Sequence, residues 1–242
     1  VKMQYGKFAK LYDALMYDAP YEKWTDFIQK KLNGAREIVE LGCGTGQATL
    51  ALAEKFSVTA LDLSEDMLEI AARKLRAAGR SVKLIHADMA TFSLHRPVDA
   101  AVCVCDGINC LLTPQDVKRT FANIHKNIKP GGCFIFDISS EYKLTAMDGQ
   151  LYSEDNDDIT YLWRNSFEAE TRLLTMDIAF FVAEDSTHYV RFDEEHVQRA
   201  HRKEEIVLWL EQTGFQVLSV TDDYTEKNST EKSMRITFCS RA

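Results

Sequence analysis

The chain is 242 residues long, 45% hydrophobic and 27% charged, with 29 Lys and Arg against 37 Asp and Glu for a formal net charge of −8. This length and apolar content fit one large domain, or one domain with a modest insert, burying roughly 70% of its unfolded surface; they exclude a disordered or disulfide-stapled chain. The acidic balance argues against a broad nucleic-acid footprint, which needs a basic stripe, so the partners to expect are small and soluble.

Residues 1–34 read as a helical lead-in. Phe8, Leu11, Tyr12, Leu15 and Met16 recur at helical spacing, Pro20 interrupts them, and a second apolar face runs through Trp24, Phe27, Ile28 and Leu32. Aromatic side chains are dense here and suit either a helical anchor or a lid over a ligand. The opening VKMQYGKFAK does not read as a signal peptide, and no apolar run approaches the roughly 18 residues of a membrane span. Six sparse cysteines without zinc spacing read as reduced thiols, which points to a cytoplasmic setting.

From Arg36 the period changes. EIVELG is a short buried strand that leads into CGTG, and QATLALAEKF a helix; SVTALD is a second strand. Ser64 caps the next helix, with Glu65 and Asp66 in its first turn and Met67, Leu68, Ala71 and Leu75 on its inner face. SVKLIHAD and VDAAVCVCDG give a third and a fourth strand. Thr113-Pro114-Gln115-Asp116 opens another helix, and Pro130-Gly131-Gly132 turns into a fifth strand, CFIFDI. Apolar strands alternating with helices over about 36–140 predict a doubly wound, mostly parallel sheet of Rossmann-like α/β class.

After Ser140 the texture changes. ITYLW, RLLTMDIAFFV and HYVRF alternate apolar and polar residues, with a turn near Glu184-Asp185-Ser186, and read as a small three-stranded antiparallel insert. The parent pattern returns with the helix EEIVLWLEQTGF, and QVLSVTDDY and MRITFCSR complete seven strands with an antiparallel edge hairpin. The domain reading is a lid over 1–34, a ligand-binding domain over 35–145 and 197–242, and an insert over 146–196. The run FDEEHVQRAHRKEE, with His196 and His201, reads as a solvated charged face.

The strongest local signal is VELGCGTG, residues 39–46. Its glycines let the backbone approach a ligand between a strand and a helix. Twenty residues past Gly42, Asp62 ends the second strand, where a carboxylate can accept both hydroxyls of a ribose. No Lys-Ser or Lys-Thr pair follows the glycines, since Gln47-Ala48-Thr49 stands there, so a phosphate-binding loop fails. Glu40 and Asp106 would face a pyrophosphate, which also disfavours NAD; both suit a cofactor with a positive centre and an amine.

These motifs resemble those of class I S-adenosylmethionine-dependent methyltransferases over most of the chain. The resemblance implies Glu40, Gly42, Cys43, Gly44 and Gly46 around the methionine part of S-adenosyl-L-methionine. ALDLSEDML implies Asp62 on the ribose, with Leu63 and Met67 near the adenine. HADMATF implies Asp88 on the adenine amine, with Met89 by the ring. AVCVCDGINCL places Cys105 and Asp106 where the fourth strand meets the cofactor. The N-terminal pattern, the DGINCL segment and the insert resemble the small-molecule branch, bacterial sugar-amine and glycine N-methylating enzymes, in which the aromatic lead-in closes over the cofactor. That implies Tyr5, Tyr12 and Trp24 nearby.

The implied reaction is in-line SN2 transfer of a methyl group to a small-molecule acceptor, nitrogen ahead of oxygen, leaving S-adenosyl-L-homocysteine. Catalytic candidates at the strand ends and in the insert are Asp106, Asp137 and His188. The weighed alternatives are an RNA, tRNA or protein methyltransferase and a non-catalytic cofactor-binding scaffold or sensor. No metal cluster emerges, and no arginine stands out near the methionine end to suggest a modified adenosyl cofactor. A homodimer through the inserted sheet is a further arrangement the pattern allows.

Overall fold

A computed structural model describes residues 8–155, 158–185 and 188–242. Five parallel strands, β1 (Glu37–Leu41), β2 (Ser57–Asp62), β3 (Lys83–His86), β4 (Val98–Cys103) and β5 (Ile128–Ser139), make up most of a seven-stranded sheet, with β3 at one edge. The antiparallel hairpin β10 (Gln216–Asp222) and β11 (Arg235–Arg241) extends it through β5, for a spatial order β10-β11-β5-β4-β1-β2-β3. Ile38, Val39, Leu41, Ala100, Ala101 and Val102 are buried, because helices cover both faces.

On one face α5 (Pro114–Asn127) and α7 (Lys203–Gln212) lay Phe121, Ile124, Ile206 and Leu210 against Phe134, Phe136 and Phe238. On the other, α2 (Tyr21–Lys31) and α3 (Gln47–Leu52) lay Phe27, Ile28 and Leu52 against Ile38, Ala60 and Ala100. Ser64 accepts the Met67 amide at 3.3 Å to cap α4 (Glu65–Ala77), and Thr113 accepts the Asp116 amide at 3.1 Å to cap α5. Among the described residues, no helix is long and apolar enough to cross a membrane.

The chain runs outward from β1 through β2 to β3, then crosses back to place β4 on the other side of β1. Such a reversal opens a crevice beyond the carboxyl ends of β1 and β4, the place where open α/β sheets bind ligands. The insert hangs over that crevice. It has four antiparallel strands: β6 (Leu151–Asp155), β7 (Ile159–Glu168), β8 (Leu173–Ala183) and β9 (Tyr189–Arg199). Register pairs Tyr161 with Phe180, Phe180 with Phe192, and Met176 with His196, so one face is largely apolar. With α1 (Ala9–Leu15), that face forms a further apolar cluster of Phe8, Ala9, Met67, Ile178 and Phe180.

Four details differ from the sequence reading. The insert has four strands rather than three, because β6 is exposed throughout and carries no burial alternation to read. A short α6 (Glu141–Ala146), capped by Ser140 on the Lys143 amide at 3.0 Å, precedes it. Strand β5 starts at Ile128, with Pro130-Gly131-Gly132 inside it. The first half of the charged run belongs to β9 and its end opens α7, and His196 and His201 are buried rather than solvated. Asn109, fully buried in the 3-10 turn after β4, donates to the carbonyls of Ser139 and Arg199 at 3.0 and 2.9 Å. It thus holds together the points where the chain leaves for the insert and returns from it.

Candidate active site

A cavity of about 350 Å³ lies between the carboxyl ends of β1, β2 and β4 and the apolar face of the insert. Gly42, Asp62, Met89 and Asp106 line it from the main sheet. Phe8 and Tyr12 line it from the N-terminal segment, and Tyr161, Trp163, Phe180 and His196 from the insert. Aromatic and thioether side chains from three parts of the fold enclose a few polar groups, the usual make-up of a small-molecule site.

The glycine loop owes its shape to the helix behind it. Gly46 has φ of +81°, and a Cβ there would lie 3.1 Å from the Ala71 Cβ of α4, so both conformation and space call for glycine. Asp62 joins the loop to the next helix: its Oδ2 accepts the Gly44 amide at 2.8 Å and its Oδ1 the Ser64 amide at 2.9 Å. Burial raises its pKa above the ordinary carboxylate value, against the pull of those amides.

Glu40, under the loop, is fully buried, and neither carboxylate oxygen has a donor in hydrogen-bonding geometry. Burial pushes its pKa up from 4.5 to about 7; the neighbouring Thr49 side chain offsets only part of the rise, and the Asp62 charge adds to it. The folded chain therefore keeps a proton that the unfolded chain releases. Stability from this group is complete below pH 4.5 and is lost as the pH rises to about 7, a change of up to about 3 kcal/mol. In Glu40→Gln this component of the stability–pH curve is expected to vanish. Urea unfolding between pH 4.5 and 7.5 checks it, and an unchanged slope would refute the assignment.

Beyond β4 the chain turns through two consecutive left-handed residues, Cys105 (φ 59°) and Asp106 (φ 52°), a conformation that non-glycine residues hold only when their surroundings enforce it. A buried charge network does so here. The Asp106 amide donates to Asp137 Oδ2 at 3.0 Å. The Asp106 carboxylate accepts from the Ser139 hydroxyl at 2.7 Å, Gln198 Nε2 at 3.1 Å and Arg235 Nη2 at 3.2 Å. Arg235 Nη1 also donates to Asp137, whose other oxygen accepts the Tyr224 hydroxyl at 2.6 Å. Burial opposes ionisation of Asp106, but Arg235 and then Lys143 outweigh it and hold its pKa below the ordinary value. Asp137, fully buried, is pushed up by desolvation while Arg235 opposes.

The structure brings Tyr12, Gly42, Asp62, Met67, Met89, Cys105 and Asp106 to the cavity wall. Glu40, Cys43, Gly44 and Gly46 form the layer behind it. Leu63 sits beside Asp62 with 68% of its surface exposed, and Asp88 caps its own turn by accepting the Ala90 amide at 2.8 Å. Asp137 stands behind Asp106 and reaches the cavity only through it. Two expected residues lie elsewhere. Trp24 is buried beneath the network, stacked on Tyr224 with the Arg235 guanidinium 4.8 Å from its ring centre. His188 is exposed at the far end of the β8–β9 hairpin, its ring against Asp185. Tyr5 lies outside the described residues.

Several cavity residues go beyond the sequence reading, among them Lys143, Arg235, His196 and Gln198. Arg235 lines the cavity from β11, and its charge is already committed to Asp106 and Asp137. His196 and Gln198 line it from β9. Val190, Phe192, Glu194, His196 and Gln198 occupy alternate positions, a period-2 signal hidden by the charges between them. Burial lowers the His196 pKa to about 4, so its imidazole is neutral near pH 7.

Residues 38–132 match a family described as a methyltransferase domain. An S-adenosylmethionine-dependent methyltransferase from Clostridium acetobutylicum ATCC 824, of known crystal structure, is 36% identical, with a TM-score of 0.89 over 98% of each chain. The Bacillus subtilis strain 168 protein YqeM, provisionally named a methyltransferase, is 36% identical over 98% of this chain and 96% of its own. The sugar N-methyltransferase KedS8 from Streptoalloteichus sp. ATCC 53650 shares the fold at a TM-score of 0.77, covering 94% of this chain and 91% of its own at 19% identity.

Proposed function

The chain belongs to the class I S-adenosylmethionine-dependent methyltransferases, and from that premise we propose that its acceptor is a small molecule presenting nitrogen rather than oxygen. The observation that carries this reading is the roof. The inserted sheet closes over the crevice and leaves an aromatic-lined cavity of about 350 Å³, too confined for a folded macromolecule to enter. The net charge of −8 points the same way, since it opposes a polyanionic partner. A sugar N-methyltransferase, KedS8, is built on the same fold.

The site's chemistry fits the cofactor. Glu40 offers two buried oxygens without donors, suited to an ammonium group. Asp62 keeps acceptor capacity for a ribose diol, and the exposed Leu63 is an apolar surface that an adenine would cover, with Met67 and Met89 alongside and Asp88 at its amine. When bound, the cofactor supplies a methyl group already activated by its sulfonium. The protein's part is alignment and exclusion of water. Phe8, Tyr12, Tyr161 and Trp163 wall out solvent, and the ionised Asp106 accepts an N–H of the acceptor and turns its lone pair into the cavity.

Preference for nitrogen follows from the available bases. Asp106 is held below the ordinary carboxylate pKa, and His196 is lowered to about 4. Both are too weak to take a proton from a hydroxyl, whereas an amine that arrives neutral needs only orientation. The test uses S-adenosylmethionine with a radioactive methyl group, offered with amino sugars, amino acids and polyamines, and separately with bulk tRNA and with cell protein. Label is expected in the small-molecule amine fraction. Label confined to RNA or protein, or to hydroxylated compounds without an amine, would overturn the proposal.

A further inference from the structure

We propose that Asp13 is a positioning residue that clasps the N-terminal helix to the glycine loop and sets how long the cofactor stays bound. The inference rests on the cofactor cavity described above and adds to it a group that does not line the cavity. Asp13 Oδ1 accepts the Thr45 hydroxyl at 2.6 Å, its Oδ2 pairs with Lys74 Nζ at 2.7 Å, and Lys74 Nζ donates to the Thr45 hydroxyl oxygen at 3.2 Å. Three elements, α1, the glycine loop and α4, thus meet in one closed ring of polar contacts. Thr45 lies between Gly44 and Gly46, and the Gly44 amide is held by Asp62. The clasp is therefore in line with both the loop and the ribose-binding acid, since Thr45 belongs to the loop and the adjacent Gly44 is the residue that Asp62 holds.

Helix α1 needs such a tie. It has seven residues and no side-chain N-cap, and an isolated helix of that length is not stable in water. Its cavity-facing side supplies Tyr12, next to Phe8, so the helix covers one wall and must move for a nucleoside to pass that way. Its other ties are largely apolar contacts of Phe8 and Ala9 with Met67 and Phe180, together with the Tyr12 hydroxyl 3.7 Å from the Cys105 sulfur. The Asp13 side chain is 35% exposed and that of Lys74 is 19% exposed. The clasp is thus accessible enough for salt to screen and shielded enough to matter.

The test is stopped-flow binding of S-adenosylhomocysteine to the full chain. Asp13→Asn is expected to speed release roughly tenfold, with the association rate changed far less, and Lys74→Met to do the same. The double variant should be no faster than either single one, because each removes the same ring. Release from the wild type should quicken with ionic strength, and release from Asp13→Asn should not. Asp26→Asn, an exposed carboxylate on α2, serves as the control and should match the wild type. Equal release rates in wild type and Asp13→Asn, or additive effects in the double variant, would overturn the clasp while leaving the cofactor reading intact. Failure of the folded wild type to bind would overturn both.

Discussion

Asp62→Ala is expected to weaken binding of both S-adenosylmethionine and S-adenosylhomocysteine by roughly one to two orders of magnitude, about 1.5–3 kcal/mol for hydrogen bonds to a charged group. Each carboxylate oxygen of Asp62 already accepts one backbone amide, Gly44 on Oδ2 and Ser64 on Oδ1, which leaves acceptor capacity on both for a pair of hydroxyls. Those amides also orient the carboxylate, so the proposed ribose contact needs no rearrangement of Asp62. Because methyl donor and product share the nucleoside, the two affinities should fall by the same factor. Calorimetric titration of wild type and variant at one pH and salt concentration measures this. A variant that stays folded and binds both compounds as tightly as the wild type would remove Asp62 from the cofactor site.

A still larger effect is expected on stability. Arg235→Met should cost about 3–5 kcal/mol near neutral pH, the usual result of stripping one partner from a buried charge cluster. Asp137 has no exposed surface and the Asp106 side chain is 17% exposed, so water cannot replace the guanidinium. Trp24 would also lose the cation over its ring. The sign of the pH dependence follows. Loss of Arg235 raises the folded-state pKa of both carboxyls, because Arg235 lowers each in the wild type, so the penalty is greatest at high pH and shrinks as acid protonates them. In the wild type the lowered Asp106 pKa gives stability that is present above the ordinary carboxylate range and lost below it. The gap between the two proteins should therefore narrow from pH 7 to pH 5 in urea unfolding. Adding Asp106→Asn and Asp137→Asn to the variant should recover part of the loss. A pH-independent loss under 1 kcal/mol would show that the network is not under this electrostatic load.

The contrast between Asp62 and Arg235 shows what local pattern can and cannot carry. Asp62 ends the short strand SVTALD twenty positions after Gly42, so its place follows from chain order alone. The Ser64 cap, the Thr113-Pro114 helix start and the β10–β11 hairpin were legible for the same reason: each is made by neighbours in sequence. Arg235 meets Asp106 across 129 residues and Asp137 across 98, and only the pairing of β11 with β5 brings them together. In the sequence it is one more cation at the start of a strand in the C-terminal hairpin. His196 is obscured differently, since Asp193 and Glu195 in the same run are exposed while it lines the cavity. His188 carried the opposite error: a histidine beside a turn in the insert, on the right sheet but at the wrong end of its longest hairpin. Strand β6 left no trace because a strand exposed on both faces has no apolar period.

Asn109 carries a consequence for how such a protein changes over evolutionary time. One amide side chain grips the last residue of β5 and the last residue of β9 together, so the four strands of the insert leave and rejoin the sheet through a single doorway. Whatever is threaded between the two gateposts can lengthen, shorten or be exchanged without shifting the strand ends that carry Gly42, Asp62 and Asp106. The lineage can retailor the ceiling to a new guest while the foundations go on receiving the same donor.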